Sequence, residues 1–150
     1  MIAIGIREMV FRLLISFVLG FFIGLEREKR HKPAGVRTHT LVCLGSTLFT
    51  LISIYAFSEF SGPITYRSPD PARIAAQIVT GVGFIGGGII FKDRDGVRGL
   101  TTAASIWLTA GIGTGIGAGL YLPTLVAAVL GLITLKLHRL LQRWGLEEGE

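Results

Sequence analysis

Charge is missing where a soluble protein would need it. The 36 residues from Leu100 to Leu135 hold no Asp, Glu, Lys or Arg. That run is too long for a core helix and nearly twice the ~20 residues that cross a bilayer core. Cysteine is almost absent: Cys43 stands alone, which excludes an internal disulfide and a cysteine-rich metal site. Its apolar surroundings read as those of a small buried thiol. The first apolar run ends in Glu26-Arg27-Glu28 with no small-residue cleavage signal, so a cleaved signal peptide is not expected. There is no nucleophile–base constellation and no zinc-ligand spacing, so neither catalysis nor a bound cofactor is expected.

What is present is apolar. Half of the 150 residues are hydrophobic and 17% are charged; mean hydropathy is +0.60. The expected fold class is an all-α membrane protein, a bundle of about five transmembrane helices. Residues 1–144 form the transmembrane helical domain, residues 145–150 a short acidic cytoplasmic tail, and no C-terminal soluble domain is expected. The segments are about Met9–Leu25, Thr38–Phe57, Pro71–Phe91, Leu100–Ile116 and Leu122–His138. The last split is set by the loosening effect of Gly111, Gly113, Gly115, Gly117 and Gly119 and by Pro123, which suits a first helical turn. Four helices plus a re-entrant segment is the alternative. Asp70 can cap the third helix, with Pro71 at its first position.

Eleven of the fifteen Lys and Arg residues fall after the first and third segments and at the C-terminal end. Short loops rich in these residues stay in the cytoplasm. The N-terminus is then outside and the C-terminus inside, with the lipid bilayer as surroundings. Arg7, Arg12, Arg67 and Arg73 lie on the opposite side. Tyr55, Phe57, Tyr66, Tyr121 and Trp144 fall near the surfaces, where aromatics meet headgroups. Basic residues confined to juxtamembrane loops explain the pI of about 9.9 without nucleic acid.

Small or polar residues recur every three or four positions. The sets are Arg12, Ser16, Gly20 and Gly24; His39, Cys43, Ser46, Thr50 and Ser53; Arg73, Gln77 and Thr80 with Gly83 and Gly87; and Thr101, Ser105, Thr109, Gly113 and Gly117. Each set lies on one helix face, and each face is expected to turn inward because hydrocarbon cannot satisfy it. Such faces serve close backbone packing or line a polar interior that binds or passes an ion. The string Gly81-Val-Gly83-Phe-Ile-Gly86 imitates a dinucleotide fingerprint but lacks the strand, the following helix and the acidic partner. Gly86-Gly87-Gly88 weakens its helix by roughly 1 kcal/mol per glycine. Either another helix crosses closely there or the helix breaks and exposes carbonyls.

The first basic loop carries acids that orientation alone does not require. Glu26, Arg27, Glu28, Arg37, Thr38, His39 and Arg98 are expected at the cytoplasmic mouth, with Arg37 and Arg98 as partners of Glu26. Carboxylates also hold Mg²⁺, which makes Glu26, Glu28 and Asp70 weak candidate ligands against cationic surroundings. Asp70, Arg73 and Gln77 mark either a capped, snorkelling helix end or a polar crevice entering the bundle.

Four blocks carry a family resemblance: Leu19-Gly20-Phe-Phe-Ile-Gly24-Leu-Glu26-Arg27-Glu28, Ala34-Gly35-Val-Arg37-Thr38-His39-Thr-Leu-Val, Arg73-Ile-Ala-Ala-Gln77-Ile-Val-Thr-Gly81-Val-Gly83-Phe-Ile-Gly86-Gly87-Gly88, and Val97-Arg98-Gly99-Leu100-Thr101-Thr102-Ala103-Ala104-Ser-Ile-Trp107. In this order they resemble the MgtC/SapB family of bacterial inner-membrane proteins. The resemblance implies a role in growth at low magnesium and, in pathogens, in virulence-related survival inside host cells. It implies regulation through another inner-membrane protein, an F-type ATP synthase or a magnesium transporter, and a homo-oligomer is a further expectation. The alternative is a small carrier or channel for Mg²⁺ or another cation.

Overall fold

The computed structural model describes residues 4–56, 70, 72–94 and 96–143, with side chains as far as residue 137. Phe57, Tyr66, Arg67, Pro71, Trp144 and the acidic tail lie outside the described residues. Five α-helices appear in chain order: α1 (Ile6–Glu28), α2 (Val36–Leu51), α3 (Ala72–Gly87), α4 (Leu100–Gly117) and α5 (Tyr121–Arg143). A π-helical turn, Ile52–Ala56, continues α2. Ile6–Glu28 and Val36–Ala56 are long and apolar enough to cross a membrane, and Ala72–Gly87 and Tyr121–Leu137 are shorter apolar helices.

The long uncharged run divides as the glycines and Pro123 predict. α4 ends at Gly117, and Gly119 reverses the chain with φ +82°, a conformation that favours glycine. The third segment departs from expectation. It stops at Gly87 rather than Phe91, and an antiparallel hairpin follows: β1 (Phe91–Asp93) paired with β2 (Gly96–Arg98). The cause is local, since three successive glycines leave the helix without propensity to continue. At the far side of the hairpin Gly99 has φ +91°, and a Cβ there would press on the Ile89 carbonyl carbon at 3.0 Å.

α2 is the central helix, packed chiefly against α1 and α4. Close approach is made at glycines. A Cβ on Gly20 would stand 2.8 Å from Cys43 Cβ and 2.9 Å from the His39 carbonyl, and one on Gly24 only 2.6 Å from Val36 Cα. Across α2, a Cβ on Gly113 would come 2.8 Å from Ser46 Cβ, and one on Gly117 2.7 Å from Thr50 Cβ. Two apolar clusters complete the core. Ile23, Cys43, Ile112, Ala128 and Leu135 join α1, α2, α4 and α5. Ala34, Ile78, Val82, Ile106 and Ala110 seat α3 on α4.

The polar faces divide into two kinds. On α2 and α4 they turn inward, and their hydroxyls serve backbone carbonyls. Thr50 donates to Ser46 O (2.7 Å), Thr109 to Ser105 O (2.8 Å), and Thr47 stands 2.8 Å from Gly113 O and 3.0 Å from Cys43 O. Packing, not a hydrated lining, explains these hydroxyls. On α3 the expected inward face points out. Arg73, Gln77, Thr80, Gly83 and Gly87 are exposed, and a Cβ added to Gly81, Gly83 or Gly87 meets nothing within 4 Å. The reason is which stripe is apolar: Ile78 and Val82, with Gly86 against Ala103, occupy the side that packs on α4.

Two glycines of α4 should respond oppositely. Gly113→Ala forces overpacking against α2 and should cost about 1–3 kcal/mol. Gly111→Ala enters open space and should be neutral or gain up to about 1 kcal/mol from helix propensity. Thermal unfolding of the purified variants in detergent measures both.

Candidate functional site

The buried charged side chains lie at the two ends of the α1–α2–α4 core. At one end Arg12, on α1, is 8% exposed and joins four elements. Its Nε stands 3.0 Å from Glu8 Oε1 and 3.0 Å from the Tyr121 hydroxyl. Its Nη1 donates to the Tyr55 hydroxyl at 3.2 Å and to the Gly117 carbonyl at 2.7 Å. The Tyr121 hydroxyl donates to Glu8. Both tyrosine rings lie 5.8 Å from the guanidinium carbon, within cation–π range. Gly117 O is one of the last carbonyls of α4, which lack an intrahelical donor, so a cation there also complements the helix dipole. This knot holds together the N-terminal half of α1, the end of α2, and the α4–α5 turn.

The opposite end is built around Arg27 and His39, both buried. Arg27 lies fifteen positions after Arg12, so about 22 Å farther along α1. Its Nη2 donates to Thr102 Oγ1 at 3.0 Å, and its Nε has no hydrogen-bond partner among the described residues. His39 Nδ1 lies 2.9 Å from Gly35 O, and Nε2 lies 3.1 Å from Ser105 Oγ. A carbonyl only accepts, so Nδ1 carries the proton. In the neutral ring Nε2 is an acceptor that competes with the Thr102 carbonyl for the single Ser105 hydroxyl proton. Ser105 Oγ also lies 2.8 Å from Thr102 O, so one hydroxyl is shared between the ring and the start of α4.

The acidic candidates separate. Glu28 Oε2 accepts the Val36 N–H at 2.7 Å and so caps α2 from across the basic loop. Asp70 Oδ1 accepts the Ala72 N–H at 2.9 Å and caps α3. Glu26 forms an i,i+4 ion pair with Arg30, and neither of its buried oxygens has a hydrogen-bond partner among the described residues. Two of these carboxylates cap helices and the third is paired within the α1 end, and among the described residues no three His, Cys, Asp or Glu side chains converge as metal ligands.

The expected mouth cluster is therefore redrawn. Arg27, His39 and Glu28 are held in it, and Thr38 is half-buried beside it. Arg37 is exposed, because two residues before His39 places it on the far side of α2. Arg98 is exposed on the hairpin. Thr102 takes the place given to Thr101, which faces outward, while Ser105 and Thr109 are buried as the stripe requires. The Arg12 knot is the main feature that sequence reading missed as a unit. Its signals were a charge inside an apolar run and the i,i+4 spacing of Glu8 and Arg12.

Residues 13–144 match the MgtC family. The chain belongs to the MgtC family. The match covers every helix described here except the first turns of α1, so both the packed core and the Arg27–His39 end are family territory. Among curated relatives, a protein of Escherichia coli strain K12 named "Putative magnesium transporter YhiD" is 45% identical over 134 residues, 89% of this chain and 62% of that protein. An uncharacterized protein of Haemophilus influenzae is 42% identical over 89% of this chain and 56% of its own length. Protein MgtC of Brucella abortus is 46% identical over 114 residues, 76% of this chain and 44% of that protein. The chain thus spans between about two-fifths and three-fifths of the relatives it matches. No solved structure matches it significantly.

Four substitutions at three positions rank these side chains. Arg12→Ala removes hydrogen bonds to a buried cation, each worth about 1.5–3 kcal/mol, and should lower the unfolding temperature most. Glu28→Ala should cost about 1 kcal/mol as a lost cap, with Glu28→Gln milder because it keeps an acceptor oxygen. Arg37→Ala, on an exposed side chain, should stay within about 0.5 kcal/mol of wild type. Thermal scans of the four variants side by side check the order.

Proposed function

We propose that this chain is a non-catalytic, multi-pass regulator in a bacterial inner membrane, acting in adaptation to low magnesium by binding another membrane protein. In this reading the five helices are five spans, and the skewed distribution of Lys and Arg sets the N-terminus outside and the C-terminus in the cytoplasm. Membership of the MgtC family and the names of the E. coli and Brucella relatives support the magnesium context.

One observation carries the regulatory role. α3 turns Arg73, Thr80, Gly83 and Gly87 away from its own bundle, with Phe84 86% exposed among them and Gln77 exposed at the edge of this face. In a membrane, small and polar residues at this spacing are how helices bind helices. Most of the inward hydroxyls favour the same reading, because Thr47, Thr50, Ser105 and Thr109 are each within hydrogen-bond reach of a backbone carbonyl, while Thr40 Oγ1 is buried without a partner among the described residues. A carrier has one observation in its favour, the buried Glu26 carboxylate, which is paired with Arg30 but whose oxygens accept no hydrogen bond among the described residues.

The two readings separate in reconstituted liposomes and in cells. A regulator gives no Mg²⁺ uptake above empty liposomes. Thr80→Leu with Gly83→Leu, on the outward face, abolishes rescue of a gene-deleted strain at low magnesium while membrane levels of the protein stay unchanged. Mg²⁺ uptake that rises with the amount of protein contradicts the regulatory role, as does full rescue by the double variant.

A further inference from the structure

α2 and α3 do not close against each other along their length. Between them lies a groove of about 510 Å³, walled by Val42 and Phe49 from α2 and by Ile74, Val82 and Ile85 from α3. Gly45 and Gly81 also line it, and a Cβ on either meets nothing within 4 Å. We propose that this groove binds one acyl chain of an anionic bilayer phospholipid, whose phosphate is taken by Arg73.

Three features select that occupant. The first is length. The α3 wall runs from Ile74 to Ile85, eleven helical steps or about 16 Å, close to the ~15 Å of hydrocarbon in one leaflet of a ~30 Å core. The second is volume. A neighbouring helix about 10 Å across would fill, over the same 16 Å, more space than the groove holds. A single chain is the thinner object that fits. The third is charge. Arg73 precedes Ile74 at the end of the groove and stands one turn before Gln77, which lines it. Its side chain is exposed. A guanidinium presents a planar fork of donors that matches phosphate. The nearby Asp70 carboxylate is engaged by the Ala72 N–H. Water is a poor occupant, since a buried water needs two to four polar partners and the lining offers polar side chains only at Ser46 and Gln77. The proposal does not depend on whether the protein regulates or transports.

The test is native mass spectrometry of the full chain, purified in mild detergent and incubated with phosphatidylglycerol. Wild type should retain one phospholipid per chain. Gly81→Leu fills the groove, enters open space and improves helix propensity, so it should fold and lose at least about tenfold in retained lipid. Gly87→Leu, on the same helix but outside the groove, should retain lipid as wild type does. Arg73→Gln should retain less phosphatidylglycerol while circular dichroism stays unchanged. Glycerophosphoglycerol, which has the phosphate but no chains, should not displace the lipid. The proposal is overturned by wild type retaining none, by Gly81→Leu retaining as much as wild type, or by equal displacement with glycerophosphoglycerol. A two-chain species abolished by Gly81→Leu would also overturn it, because a second copy would then occupy the groove.

Discussion

α2 lies between α1 and α4 at near-backbone contact, and much of the structure follows from that proximity. Gly20 and Gly24 admit α2 on one side, and Gly113 and Gly117 admit it on the other. With side chains absent at those four points, the hydroxyls of α2 and α4 reach carbonyls directly, and Thr47 bridges the two helices at Gly113 O. In hydrocarbon an unmet polar group costs several kcal/mol. Close approach and polar satisfaction are thus one device: the glycines create the short distance, and the short distance lets small hydroxyls act inside an apolar bundle.

The ends of this core are held by arginines. Arg12 ties α1 to the last carbonyls of α4 and to two tyrosines, and Arg27 ties α1 to Thr102 near the start of α4. A charge near a membrane boundary is expensive unless partnered, so each arginine couples the position of α1 to a terminus of α4. α3 stands apart from this arrangement. It is fastened by Ile78, Val82 and Gly86 on one side, leaves a groove beside α2, and shows its polar side to whatever surrounds the molecule. A closely packed core with one loosely seated helix suits a protein that acts through its outer surface.

Much of this was legible in the residues. The uncharged run divided where glycines and Pro123 indicated, Asp70 caps α3 as its spacing suggested, and the small-residue faces of α1, α2 and α4 pack as their period implied. The remainder depended on information that local pattern does not contain. Glu8, Arg12, Tyr55 and Tyr121 are up to 113 positions apart, and periodicity says nothing about which helices neighbour each other. The stripe on α3 has the same spacing as those on α2 and α4 but points outward, because its opposite stripe is the more apolar one. Arg37 was grouped with Glu26 by proximity in sequence, whereas Arg30, one turn along the same helix, is the partner present. The hairpin between α3 and α4 is only three residues per strand, too short for alternation to announce it.

The central claim is that the core is closed, as the proposed role in surface binding requires and ion conduction does not allow. Cys43 is the one cysteine of the chain and lies fully buried between α1, α2 and α4. Its reaction with a small, charged, water-soluble thiol reagent, in membranes with and without Mg²⁺, measures the claim directly. The expected result is no modification of Cys43 under either condition while a cysteine introduced at the exposed Lys29 reacts readily. Modification of Cys43 in the folded protein, above all if Mg²⁺ blocks it, would reveal a hydrated path through the core and contradict the account.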